Sequence, residues 1–411
     1  MWYIYCWVFR KNVIMKVNTG KGTLPLVVVV AIWSVSAIIS LPGLAISPIL
    51  DDLDKIFPTA SRLEVEMLES LPSLLIIPFM LLAGRWSVRR NKVKLLAIGT
   101  SIFLAAGVGC ILSRKLWELI FMGGVMGVGA GMIIPLSTGL IVDYFTGDKR
   151  VNQLGISSAI NNLTLVLATA LVGYLADVEW HFAFAVYLLP AITLLLVPSI
   201  SHTPPVPEPE DGAQRRQTHL NHRVIVGLMF FYFFITATSL VVTFNTSYLA
   251  SAAGISTTES GVIISLFFLA IMAPGFVLNN IIALFGRWVN TVSLVVMGSG
   301  LLLMSLDHPS AISLICGAIL TGLGYGVMQP IIYDKAATNA PPHLATLALS
   351  VVMTVNYLAI LVAPFLIEFV DHIFSTKSSA FAFLFGGVAA LILALIAALF
   401  NRRSRVLGSD D

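Results

Sequence analysis

Gly127-Val128-Gly129-Ala130-Gly131-Met132-Ile133-Ile134-Pro135 and Gly322-Leu323-Gly324-Tyr325-Gly326-Val327-Met328-Gln329-Pro330 are one pattern written twice, offset by 195 residues. Three glycines at alternate positions and a proline four residues further on recur in register. A lone GxG in an apolar helix carries little information. Here Asn161 and Asn356 repeat at the same offset, and the turns Gly84-Arg85-Trp86 and Gly286-Arg287-Trp288 repeat after corresponding segments. Three matches in corresponding places indicate an internal duplication. Gly123, Gly127 and Gly131, spaced by four, also offer a helix face that a neighbouring backbone can approach closely. Static packing and a moving interface are both readings of that face, and they are compatible.

The duplicated motif sits in a chain that is apolar almost throughout. Of 411 residues, 57% are hydrophobic and 11% charged, against about 25% charged in a soluble domain. The mean hydropathy of +0.92 leaves too little polar surface to face water. The apolar blocks are long enough to cross a bilayer, which takes about 20 residues per helix. Short alternating segments of the β-barrel kind do not occur. Charges and turn residues bracket helices near 23–50, 62–83, 93–112, 116–143, 154–175 and 181–200, then near 223–250, 258–285, 289–306, 309–333, 345–370 and 378–401. The fold class read from this is an all-α integral membrane protein, with about twelve transmembrane helices in two pseudo-symmetric six-helix bundles.

The expected organisation is a cytosolic segment 1–22, a bundle 23–200, a linker 201–222, a second bundle 223–401 and a tail 402–411. The linker is rich in proline and charge and has no apolar area to bury, so it reads as a solvated tether. The apolar opening residues 1–9 are too short to span a bilayer and lack the leading charge of a signal peptide. They are either an interfacial stub or upstream of a true start at Met15. Of the three cysteines, Cys110 and Cys316 fall in apolar blocks and read as packing residues, and with Cys6 they form no metal or disulfide spacing. With the N-terminus inside, the outer side receives only Lys55, Arg62, Arg114, Lys115 and Lys377 of the 24 basic residues. That bias predicts both termini in the cytosol and an even number of spans. The net charge of +3 gives no reason to expect nucleic acid as a partner.

Two paired six-helix bundles around a long linker, with these motifs, resemble the major facilitator superfamily over residues 23–401. The stretch GRWSVRRNKVKLL, Gly84 to Leu96, looks like that family's loop between helices two and three, with Gly84, Arg89 and Lys92 at matching positions. Val88 stands where the family has aspartate, and Asn91 where it has a second glycine. IVDYFTGDKRVNQLG resembles the family's helix-four exit through Asp143 and Arg150, and GYLADVEWHFAF its helix-five exit around Gly173, Trp180 and Phe182. The resemblance implies rocking-bundle alternating access and a cytosolic gate held by the basic loop and the helix-four aspartate. Gly84, Arg89 and Asp143 are the expected gate residues, with Arg89 paired to Asp143. Lys92 and Lys94 are expected only to obey the orientation rule. Gly123 stands where drug–proton exchangers of the family often carry arginine, and Ala168 to Gly173 lack their glycine-proline pair.

Ionisable groups inside spans are functional candidates by default. Glu66 and Glu69 lie three apart on one face of the second helix. Glu69 is the expected proton-coupling carboxylate, unless it reaches the outer interface and is merely hydrated; Glu66 stands nearer that end. Amides and aromatics deep in spans supply the cavity candidates: Trp33, Asn161, Asn162, Asn245, Asn280, Tyr325, Gln329 and Asn356. An amide offers a donor and an acceptor together, so it can orient a polar solute without charge; helix–helix hydrogen bonding is the competing reading. With no basic residue at mid-depth, the inferred cavity suits a neutral or amphipathic organic molecule better than a phosphate or dicarboxylate.

These features point to a secondary transporter of a small organic solute in the plasma membrane. Proton-coupled efflux of an amphipathic compound leads, with a nutrient symporter or facilitator as the alternative and a non-transporting sensor of the same fold behind it. No P-loop is present, so ATP drive within the chain has no support. The scattered histidines and the lack of HExxH or paired carboxylates argue against an enzyme. No cofactor is expected. Protons, the lipid bilayer and the solute are the expected partners, with function as a monomer.

Overall fold

A computed structural model describes residues 16–42, 45, 46, 53, 56–58, 62–201, 220–255, 257–306, 309–374 and 379–400. Residues 1–15, most of the linker and the tail 402–411 lie outside the described residues. Among the described residues, twelve α-helices of ten or more residues follow a short hairpin. They are α1 (Leu26–Ala37), α2 (Arg62–Ser87), α3 (Lys92–Leu112), α4 (Leu116–Tyr144), α5 (Gly147–Val178) and α6 (Pro190–Ser201), then α7 (His222–Ala252), α8 (Thr257–Phe285), α9 (Val289–Met304), α10 (Ala311–Thr338), α11 (Ala345–Ile373) and α12 (Ser379–Phe400). Each expected block overlaps one of them. Nine apolar stretches among the described residues are long enough to cross a membrane, and one of these, Glu259–Met304, runs through both α8 and α9. Leu26–Ala37 and Leu71–Ser87 are shorter apolar helices.

Local departures have local causes. A one-turn-per-three-residue helix, Trp180–Leu188, replaces the start of the block expected at 181–200, and α6 begins only at Pro190. Proline suits a first helical position because its missing N–H has no partner there anyway. In α8, Pro274 deprives Ala270 of a helical donor. Val277, three residues on, leaves helical geometry at φ −122° and ψ 17°. At the N-terminus β1 (Lys16–Asn18) pairs antiparallel with β2 (Thr23–Pro25), Val17 opposite Leu24, around Gly20 at φ 87°. The all-α expectation missed this hairpin, whose Thr19 carbonyl accepts the Thr146 N–H at 3.0 Å.

The chain divides into two compact units. The first comprises residues 1–153, 167–220 and 340–351; the second comprises 154–166, 221–339 and 352–411. The middle of α5 belongs to the second unit and the start of α11 to the first. Close backbone approach accounts for both. Gly155 of α5 rests on Gly275 of α8, where a Cβ would come 2.7 Å from the Gly275 carbonyl oxygen. Gly84 of α2 rests on Ser350 of α11.

The duplication read from sequence reappears as packing. In the first unit α4 packs on α2, α3 and α1, and α6 on α1 and α3. In the second, α10 packs on α8, α9 and α7, and α12 on α7 and α9. Every pair is shifted by six. The glycine motif plays the same part in each unit. A Cβ on Gly127 would lie 2.5 Å from the Pro72 carbonyl oxygen of α2, while one on Gly129 would lie 2.7 Å from the Gly99 oxygen of α3. A Cβ on Gly322 would lie 2.5 Å from the Phe267 oxygen of α8, and one on Gly324 2.5 Å from the Ser293 oxygen of α9. Backbones this close exclude any side chain. Outside these cores, Leu112, Phe230, Ile312 and Leu399 are 72%, 74%, 73% and 72% exposed. Water would penalise such a surface at roughly 25 cal/mol per Å², whereas lipid tails accept it.

Candidate functional site

Helix α10 places Tyr325, Gln329 and Tyr333 at spacing four, hence on one face. Helix α7 does the same with Tyr232 and Thr236. These two faces, with Ser158 of α5 and Asn356 of α11, build an uncharged hydrogen-bonded cluster within the second unit. Gln329 is its hub. Its Oε1 accepts from the Ser158 hydroxyl at 2.8 Å. Its Nε2 donates to the hydroxyls of Tyr232 at 3.0 Å and Tyr333 at 3.3 Å. Those two hydroxyls are themselves 2.6 Å apart, with the rings edge to face. One turn away, Asn356 Oδ1 accepts from Thr236 at 3.2 Å and Tyr325 at 3.3 Å. Tyr232, Thr236 and Tyr325 are buried, and Gln329, Tyr333 and Asn356 half-buried. Such an arrangement holds no net charge. It offers phenol and amide groups for hydrogen bonding and aromatic faces for stacking, the equipment for orienting a neutral or amphipathic molecule.

Of the eight cavity candidates, Tyr325, Gln329 and Asn356 come together here. Trp33 belongs to the first unit, where its indole N–H donates to Gln153 Oε1 at 2.8 Å. Asn162 donates to the carbonyl of Ser158 on its own helix at 2.8 Å, which is the helix-internal use of an asparagine. Asn161 is half-buried on α5 and Asn245 on α7, and Asn280 is exposed on α8. Sequence reasoning missed Tyr232, Thr236, Tyr333, Ser158 and Gln153. The spacing 325, 329, 333 was a legible signal for Tyr333. Tyr232 lies inside the run Phe230 to Phe234, where nothing distinguishes it from its neighbours.

The charged gate is corrected by the structure. Asp143, in the last turn of α4, is held by Lys92 and not by Arg89: Lys92 Nζ donates to both carboxylate oxygens, at 2.8 and 2.7 Å. Lys92 is the first residue of α3, which packs along α4, so its side chain meets the end of that helix. Arg89 is exposed in the preceding turn. Asn91, which replaces a family glycine, is the N-cap of α3 and accepts from the Val93 and Lys94 N–H groups at 2.9 and 3.2 Å. Gly84 lies in the last turn of α2 and meets Ser350. Lys335 lies in the last turn of α10 with 6% exposure. A cation is favourable at a helix C-terminus.

Glu66 and Glu69 fall within α2, but their side chains lie outside the described residues. Glu118 plays a structural part, because its Oε2 accepts the Arg114 and Lys115 N–H groups at 2.9 and 3.3 Å, at the start of α4.

Comparison with known proteins agrees with this architecture. The family model of the Major Facilitator Superfamily matches residues 27–364 and 224–409. The multidrug transporter protein MdtP of Bacillus subtilis (strain 168) is 30% identical over 119 residues, 29% of this chain and 21% of that protein. The quinolone resistance protein NorA of Staphylococcus aureus is 26% identical over 115 residues, 28% of this chain and 29% of that protein. These matches therefore span well under a third of each relative. Among solved structures, the proton:xylose symporter XylE bound to 6-bromo-6-deoxy-D-glucose superposes with a TM-score of 0.70 at 15% identity, covering 92% of this chain and 95% of that one. At that identity the likeness concerns the fold.

Proposed function

Because the chain belongs to the Major Facilitator Superfamily and is a transporter rather than an enzyme, we propose that it exports an amphipathic, drug-like organic solute across the plasma membrane by proton-coupled alternating access, with both termini cytosolic. The observation that carries this reading is the Gln329 hub. It joins three hydroxyls without a fixed charge, so it favours solutes recognised by hydrogen bonds and aromatic stacking over those needing a buried cation. The likeness to MdtP, a multidrug transporter, and NorA, a quinolone resistance protein, supports a drug-like solute. Glu69 is the proposed proton carrier, because an ionisable residue in a transmembrane helix is a functional candidate by default. Lys92 and Asp143 form the proposed cytosolic latch. A partly exposed ion pair, with 17% and 23% exposure, is worth on the order of 1 kcal/mol, enough to bias two states without locking either. The transporter functions as a monomer.

A second reading, import of a neutral nutrient with protons, rests on the fold shared with the xylose symporter and on Gly123 standing where exchangers carry arginine. The test is transport in proteoliposomes under an imposed pH gradient, with internal pH followed by a dye while norfloxacin, tetraphenylphosphonium or xylose is added. Drug-dependent proton movement that disappears in Glu69→Gln supports the export reading. Movement with xylose alone supports the second. Solute flux without proton movement overturns the coupling in both.

A further inference from the structure

The end of α3 opposite Lys92 carries a second ionisable arrangement that the transport reading does not use. His181, in the turn after α5, faces two acceptors. Its Nδ1 lies 3.0 Å from Glu179 Oε1 and its Nε2 lies 3.2 Å from the carbonyl oxygen of Ser113, the C-cap of α3. A main-chain carbonyl only accepts, and so does a carboxylate once ionised, as carboxylates are above about pH 5. Both contacts therefore call for hydrogen on both ring nitrogens. A neutral imidazole has one N–H. Whichever tautomer it takes, the other nitrogen turns a lone pair toward an oxygen.

The indole of Trp180 points the same way. Its ring centroid lies 3.6 Å from that of His181 at 30°, and an aromatic face attracts a cation. Trp180 is itself held edge-on by Phe57 at 5.7 Å and Phe184 at 6.2 Å. Among the charged groups on the elements packed here, Arg114 and Lys115 follow α3, and Glu118 opens α4 with Oε2 already accepting from their N–H groups. The side chain of Asp177, and residues 54 and 55, lie outside the described residues.

We infer that His181, Glu179 and the Ser113 carbonyl form a proton-binding site that fastens the end of α3 to the turn between α5 and α6. With the proton bound, both hydrogen bonds form. Without it, one is lost and a lone-pair repulsion replaces it. The fastening is therefore made and broken with that proton. It is separate from the proposed coupling carboxylate and stands or falls independently of it.

The experiment follows tryptophan emission of the purified full-length chain from pH 5.5 to 8.5, because an imidazolium quenches an indole stacked on it. The wild type is expected to brighten in one step as the pH rises. His181→Gln and, independently, Trp180→Phe should each remove that step. Glu179→Gln gives the decisive arm. Its amide N–H donates to Nδ1 and lets a neutral imidazole keep both contacts, so the step should move to lower pH. Absence of a step in the wild type, or a step unmoved by Glu179→Gln, overturns the inference.

Discussion

Replacing Gly127 by alanine tests the duplicated packing with a control supplied by the same helix face. The new Cβ would sit 2.5 Å from the Pro72 carbonyl oxygen, 2.8 Å from its Cα and 3.0 Å from its carbonyl carbon. All three are backbone atoms of α2, so no rotamer change relieves the clash, and the helices must separate by several tenths of an ångström. Overpacking of this kind costs about 1–3 kcal/mol, roughly 2–6 °C in melting temperature for a chain of this size. Gly322→Ala meets the Phe267 oxygen at the same 2.5 Å and should cost as much. Gly123→Ala, one turn earlier on α4, meets only Pro72 Cγ at 3.5 Å and the Leu68 oxygen at 3.8 Å, which is ordinary contact. It should be close to neutral. Buried Cys110 provides the assay: with Cys6 and Cys316 changed to serine, a thiol-reactive dye reports unfolding as Cys110 becomes accessible. Equal melting temperatures for Gly127→Ala and Gly123→Ala would refute the reasoning.

Other outcomes follow from the same contacts. Lys92→Ala should shift the transport rate by up to about fivefold, the reach of a partly exposed ion pair, whereas Arg89→Ala should stay near wild type; initial-rate flux measurements distinguish them. Gln329→Leu removes two hydrogen bonds to neighbouring helices, each worth about 0.6 kcal/mol in a membrane, and should lower stability by about 1 kcal/mol in the dye assay. Asn91→Ala deletes the cap of α3 and should cost about 1 kcal/mol, while Asn91→Asp should restore it.

Twelve helices were legible because apolar blocks and charged breaks are strong signals, and the offset of 195 placed α4 and α10 in corresponding roles before any packing was known. Tyr325, Gln329 and Asn356 were legible as polar groups in apolar spans. Their partners were not. Tyr232 and Ser158 sit in runs where the sequence marks no contrast, and only the fold brings α5, α7 and α10 together at Gln329. The partner of Asp143 was not legible for a geometric reason: Arg89 and Lys92 are equivalent as charges in a loop, but α3 begins at Lys92 and so carries that residue to the end of α4. The hairpin at 16–25 is too short for strand alternation to stand out. The split of α5 between units depends on Gly155 meeting Gly275, a pairing that no local pattern announces.

In the proposed function the Gln329 cluster handles the transported solute. The most direct measurement is norfloxacin flux into proteoliposomes carrying wild type, Gln329→Leu or Gly123→Ala, at matched protein content. Flux is expected in the wild type, with retention in Gly123→Ala and a loss of at least about tenfold in Gln329→Leu, the equivalent of about 1.4 kcal/mol. Undiminished flux in a folded Gln329→Leu protein would contradict it.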